Sequence, residues 1–255
     1  MTVHDIFELV NYISGRHPSG AAITPSRFNI LLPQCNMEYY DSELRKGLKP
    51  DSPLYVFKQT PATITADQNG LAQLPGYFGH LLGAVTTFSG QNNTGIPRGR
   101  TIEPVTDTEF HSRQNSITSR QNKPFGRLQG AFFEVRPKNV EDILIDYLRL
   151  PANPYMDYCQ SAVNPNIIYF MPVGSTLVES SVQGRIDLLI GTSRTLNVSK
   201  AGVAGNAPDP LYTSATTELE WNEKNHYHLV YRILVKIGVN LSEDLVTKYA
   251  MEASQ

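Results

Sequence analysis

The spacing of apolar residues changes character twice along the chain. Near its start, Ile6, Phe7, Leu9, Val10 and Ile13 recur at helical intervals, and Gly15 and Pro18 punctuate the end of that run. A second helix is predicted from Thr24-Pro25. Thr24 suits the N-cap, and Pro25 falls at the first helical position, where a missing N–H costs nothing. Phe28, Leu31, Leu32, Cys35 and Tyr39 then trace one face down to Leu44, with Pro33 expected to kink or split the helix near Leu32. From about Pro53 to Tyr212 the pattern reads as strands. Residues 54–57, 62–65, 81–87, 131–135, 143–148 and 167–171 are rich in β-branched and aromatic side chains, with glycine and proline between them. Residues 177–182, 185–190 and 195–198 suggest three more short strands, and 89–100 and 109–123 read as long polar loops. Beyond Thr217, residues 217–221 alternate like a short strand or lead into a helix. Tyr227, Val230, Ile233, Leu234 and Ile237 then share a helical face that Gly238 stops. A last helix is predicted from Ser242, with Glu243 and Asp244 in its first turn.

This order predicts an α+β fold, with a helical subdomain built from both termini and a β-sandwich-like middle domain. The expected segments are 1–49 for the N-terminal helices, 50–212 for the β domain with its long loops, and 213–255 for C-terminal helices packing on the N-terminal ones. Each amphipathic helix is too short to be stable alone, so their apolar faces are expected to be buried together.

Composition narrows the function classes. The chain has 255 residues, 22 basic and 24 acidic, with a formal net charge of −2. Only 18% of residues are charged and 9% are aromatic, which excludes a charge-driven disordered protein. The near-neutral balance argues against binding nucleic acid over the whole surface. No run approaches the ~18 apolar residues of a membrane span. The first residues lack a basic region and a cleavage site, so no signal peptide is expected. Cys35 and Cys159 make neither a disulfide framework nor a zinc site, in keeping with synthesis in a reducing cytoplasm.

Catalytic and cofactor motifs are not found. No phosphate loop or GxSxG elbow occurs, and no catalytic residue, cofactor or metal ligand is assigned. His226 and His228 are two apart on a predicted helix and point in different directions, so they are expected to be solvated or interfacial. Cys35 is expected to pack as a small hydrophobe. Neutral polar residues, many tyrosines and long loops suit large wet interfaces instead.

Four stretches, taken in order, carry a resemblance. They are Ile23-Thr24-Pro25-Ser26-Arg27-Phe28-Asn29 with Glu38-Tyr39-Tyr40; Leu71-Ala72-Gln73-Leu74-Pro75 with His80-Leu81-Leu82-Gly83; Phe132-Phe133-Glu134-Val135-Arg136-Pro137 with Asp146-Tyr147-Leu148-Arg149-Leu150-Pro151; and Leu219-Glu220-Trp221-Asn222-Glu223 with His226, Ile237-Gly238-Val239 and Lys248-Tyr249. Together they resemble the neck and tail-adaptor ring proteins of short-tailed bacteriophages (head-to-tail connector, tail tubular A-like), above all those of crAss-like phages. The resemblance implies a non-enzymatic virion structural protein, made in the bacterial cytoplasm. It implies a ring of about twelve copies closed by rotation, between portal and tail and around the DNA channel. Its partners would be further copies of itself, the portal protein and neighbouring neck or tail rings, with non-specific contact to DNA left open and no membrane. The competing reading is a capsid decoration or fibre-associated β binding module.

One local feature bears on partners. Between Phe110 and Phe133, Arg113, Arg120, Lys123 and Arg127 occur with no acidic residue among them. This predicts a basic loop that docks on an acidic portal or neighbouring subunit, or touches DNA phosphates in the channel. A solvated loop with incidental charge is the remaining alternative.

Overall fold

The computed structural model describes residues 1–16, 22–87, 99–114, 123–138, 140, 142–161, 168–174, 176–177, 188–190, 194–196 and 212–239. The protein is α+β, and the chain divides into two compact units. One is Met1–Val56 with Pro151–Gln255, and the other is Phe57–Leu150.

Among the described residues the first unit holds three helices, α1 (Val3–Arg16), α2 (Pro25–Arg45) and α4 (Glu223–Lys236). Thr24 caps α2 as expected, its Oγ1 accepting from the Arg27 amide at 3.3 Å, with Pro25 in the first turn. Pro33 does not split the helix. α2 runs as one element because its buried face, Phe28, Leu32, Cys35, Asn36 and Tyr39, continues on both sides of the proline and packs against α4. The sequence cost is the one backbone bond that position 33 cannot donate. α4 stops where Gly238 adopts φ +91°, a conformation disfavoured for residues with a Cβ. Ile6, Val10 and Ile13 of α1 join Leu229, Val230 and Ile233 of α4 in the core. The N- and C-terminal helices thus share one core. The helix expected from Ser242 lies outside the described residues.

The chain from Pro151 onward belongs to this unit, so the compact β unit ends at Leu150 and not at 212. Hydrogen bonds account for the difference. Asn29 on α2 donates its side-chain amide to the Met156 carbonyl at 2.8 Å and accepts from the Met156 amide at 2.9 Å. Tyr155 and Thr217 exchange both backbone bonds. The buried Asp157 carboxylate accepts from the Tyr158 and Ala215 amides. Six short strands follow among the described residues of this unit. Of these, β9 (Tyr158–Ser161), β10 (Ile168–Phe170), β12 (Leu188–Ile190) and β13 (Arg194–Leu196) form a sheet in the order β10-β9-β12-β13. β11 (Thr176–Leu177) pairs with β14 (Tyr212–Thr213).

The Phe57–Leu150 unit is built from two four-stranded sheets. β1 (Lys58–Thr65), β3 (Phe78–Thr87), β4 (Gly99–Thr101) and β8 (Asp142–Arg149) take the order β1-β8-β3-β4. β2 (Leu71–Gln73), β5 (Glu103–Pro104), β6 (Phe125–Gln129) and β7 (Phe132–Arg136) take the order β2-β7-β6-β5. Every pairing is antiparallel except β5 with β6. Ile64, Ala84, Ile143 and Ile145 from one sheet and Ala72, Phe133 and Val135 from the other form a common core, as in a sandwich. Gly126 is required in β6, because a Cβ there would stand 2.5 Å from the Phe133 ring.

Two local readings are corrected. Residues 53–57 form a 3-10 turn and not a strand, since the Ser52 hydroxyl accepts from the Leu54 amide and Pro53 opens the turn. The expected loop at 109–123 begins as a helix, α3 (Asp107–Gln114). Its start is a capping box: the Glu109 amide donates to Thr106 Oγ1, and the Thr106 amide donates back to the Glu109 carboxylate.

Candidate interaction surface: a charge clamp and a groove

The four basic residues singled out in the sequence do not form one free loop. Arg113 lies on α3, and Arg127 lies in β6. Lys123 is exposed just before β6, and Arg120 falls outside the described residues. The acids that partner these cations come from beyond the stretch in which none was found. Arg113 grips Glu103 with both guanidinium nitrogens, at 2.7 and 3.0 Å, which raises the arginine further and holds the carboxylate below its ordinary range. Arg127 donates to Glu134 through Nε at 2.9 Å and Nη2 at 2.7 Å, and reaches Asp107 at 3.2 Å. Its pKa is raised, first of all by the hydrogen bond to Glu134.

Strand register makes this pairing. Arg127 and Glu134 stand opposite each other in the β6–β7 ladder, and Arg136 stands opposite Phe125 on the same face. Glu134 therefore lies between two arginines, and Arg136 Nη2 donates to its other oxygen at 2.6 Å. Only 12% of the Arg127 side chain and 9% of the Glu134 side chain are exposed. Phe110 of α3 closes the arrangement from outside, its ring 4.4 Å from the Arg127 guanidinium carbon and 5.4 Å from that of Arg136. His111 Nε2 lies 3.1 Å from Arg127. The cluster clamps α3 onto the outer face of β6 and β7. A guanidinium held on two carboxylates and an aromatic face is not offered to a partner.

A groove of about 560 Å³ lies beside the clamp. Leu81, Leu82, Ile102, Val105, Leu128 and Phe133 give it an apolar wall, with Asp107 and Arg127 at its polar rim. Leu128 is 44% exposed there, and Phe132 near the β6–β7 turn is 43% exposed. The sequence carried a signal for α3, the box Thr106-Asp107-Thr108-Glu109. It carried none that joined Glu134 to Arg127.

The histidines and the described cysteine also have defined places. His226 is buried with Nε2 at 3.0 Å from the Trp221 carbonyl, neither solvated nor interfacial, and burial pulls its pKa down. His228 stacks on Tyr39. Cys35 is fully buried and its thiol is pushed up to about 12, mainly by that burial. Among the described residues no group of three or more His, Cys, Asp and Glu could hold a metal ion. No helix among them is long and apolar enough to cross a membrane. No known protein-family model matches the chain, and no curated protein matches it.

Proposed function

We propose that this chain is a structural subunit of the neck or tail-adaptor ring of a short-tailed bacteriophage, joining portal to tail around the DNA channel. The observation that supports this reading is the convergence of two stretches that carry the family resemblance. The Ile23–Tyr40 stretch and the Leu219–Glu223 stretch meet inside one unit, where Trp221 Nε1 donates to Asn36 Oδ1 at 2.6 Å across 185 residues of sequence. Tyr39 Oη donates to Asn225 beside it, and Asn29, from the resembling Phe-Asn pair, ties α2 to Met156. The two stretches therefore belong to one structural unit.

Docking in this reading does not use Arg113 or Arg127, which are spent within the unit; exposed Lys123 keeps its place as a candidate contact. The test is electron cryomicroscopy of the particles that carry this protein. Density for the subunit in a closed ring next to the portal is the expected result. Density scattered over the capsid shell would replace the ring reading with the decoration reading.

A further inference from the structure

One peptide bond in the Phe57–Leu150 unit combines labile chemistry with a fixed geometry. Asn69 is the only asparagine in the chain that glycine follows. The Asn69-Gly70 pair closes the turn between β1 and β2. There the Gly70 amide donates to the Asp67 carbonyl, and the Asp67 amide to the Leu71 carbonyl, each at 2.9 Å. The Asp67 carboxylate organises the turn, one oxygen accepting from the Asn69 and Leu71 amides at 2.8 Å each. Those backbone bonds, that from Leu71 first, hold its carboxyl below the ordinary range. Residue 70 has to be glycine. Its φ is +79°, and a Cβ there would stand 2.5 Å from the Val135 carbonyl oxygen. No bulkier neighbour can therefore shield the asparagine.

Deamidation of such a pair has a fixed course. The Gly70 nitrogen gives its proton to solvent and bonds to Asn69 Cγ, and the side-chain nitrogen takes up a proton and leaves as ammonia. Water then opens the five-membered imide at one carbonyl or the other, giving aspartate or isoaspartate. The folded turn obstructs the first step at both ends of the peptide unit. The Gly70 N–H is engaged by Asp67, and Arg136 Nη1 donates to the Asn69 carbonyl at 2.8 Å, which fixes the plane of that peptide. Arg136 is itself anchored on the Val135 carbonyl at 2.9 Å and on Glu134 at 2.6 Å.

We propose that Asn69 is a self-modification site, closed while the Asp67 turn is intact and converted by water to aspartate or isoaspartate when the turn opens. The change is one-way in structure as well as in chemistry. Asn69 Nδ2 lies 3.5 Å from Asp67 Oδ2, so a carboxylate at position 69 sets two like charges side by side. Isoaspartate also adds a methylene to the main chain and shifts the carbonyl that Arg136 holds. This inference does not rest on the ring reading.

The test follows the mass of the Asn69 peptide while the full chain stands at mildly alkaline pH, either folded or in guanidinium chloride. The unfolded chain should convert Asn69 ahead of every other asparagine. The folded chain should convert it about tenfold more slowly or less, since the reaction proceeds from the open turn. Asp67→Ala removes the acceptor for two amides and should raise the folded rate about fivefold or more, with the unfolded rate unchanged. Asp67→Ser keeps an acceptor at this turn position and should fall between alanine and the parent; it carries the comparison if the alanine variant does not fold. Equal rates in the folded and unfolded parent, or folded rates in both variants equal to the parent's, would overturn the proposal. Asn69→Asp should speed amide exchange at Leu71 and Val135, which donate to Asp67 and Gly70. Unchanged exchange there would show that the turn recloses, and would overturn its one-way character.

Discussion

In the helical unit, the buried side-chain hydrogen bonds between helices join neutral groups, while the ion pairs Lys236–Glu38 and Met1–Glu223 lie at the exposed surface. Trp221 donates to Asn36, Tyr39 to Asn225, and Asn29 exchanges two bonds with the Met156 backbone. In the Phe57–Leu150 unit the corresponding task falls to ions, with Glu134 between Arg127 and Arg136, and Asp107 and Phe110 completing the shell. The neutral contacts join residues from 127 to 186 positions apart, whereas Arg127 and Glu134 are 7 apart. A neutral pair adds little when made and costs its desolvation when broken, while a buried ion stripped of its partner costs more. One unit is therefore sensitive to shape and the other to charge.

Glu134→Gln tests that contrast most severely. Removing the central carboxylate charge leaves two guanidiniums facing each other, and should destabilise the Phe57–Leu150 unit by about 3 kcal/mol or more. Hydrogen exchange resolved by residue reads this out, and faster exchange should be concentrated in β6, β7 and α3. Equal loss across α2 and α4 would abolish the distinction between the units.

Trp221→Phe is the counterpart in the helical unit. It keeps a ring but leaves the buried Asn36 oxygen without its donor, at an expected cost of about 1–3 kcal/mol by urea unfolding followed with circular dichroism. In the parent chain Trp221 is the sole tryptophan, so its fluorescence reports the helical unit alone.

Acid should separate the units by pH. Burial lowers the His226 pKa in the folded state, so between the ordinary histidine value of about 6.5 and the folded value the unfolded chain binds the extra proton. The stability this group contributes is complete above about pH 6.5 and is lost as pH falls through the folded pKa. Tryptophan-monitored unfolding should lose stability over that window, and His226→Gln should flatten the slope. A slope unchanged in the variant would assign the acid sensitivity elsewhere. Arg113→Ala is the smallest change expected. Its bond to Glu103 is well formed but exposed to solvent, so the melting midpoint should not move measurably.

How far these arrangements could be read from sequence follows the range of the forces involved. The Thr24-Pro25 start of α2, the faces of α1 and α4 and the stop at Gly238 depend on neighbours within a turn, and were legible. So were β1, β3, β7 and β8, through their β-branched and aromatic residues, whereas β2, β4, β5 and β6 were not. The strand expected at 54–57 was lost to a local rival, a serine hydroxyl and a proline that set up a turn. The domain edge at Pro151 was not legible, because it depends on Asn29 finding Met156 and on Tyr155 finding Thr217. The basic run failed as a site for the same reason. Charges counted along the chain omit the acids that register brings across the ladder, and Glu134 reached Arg127 only because Phe133 and Leu128 face each other beside them.

The meeting of Asn36 with Trp221 also sets the order of events during synthesis. α2 leaves the ribosome early, but the residues that cover its buried face follow 185 positions later. Phe7 of α1 can already pack on Phe28, but at about 5–20 residues per second the rest of that face waits roughly 10–40 s for Trp221. The Phe57–Leu150 unit has by then emerged whole and can fold while the helices flanking it in sequence still wait. The first half of the helical unit thus waits for its C-terminal partners on every round of translation, and slower elongation lengthens that wait without changing the folded state.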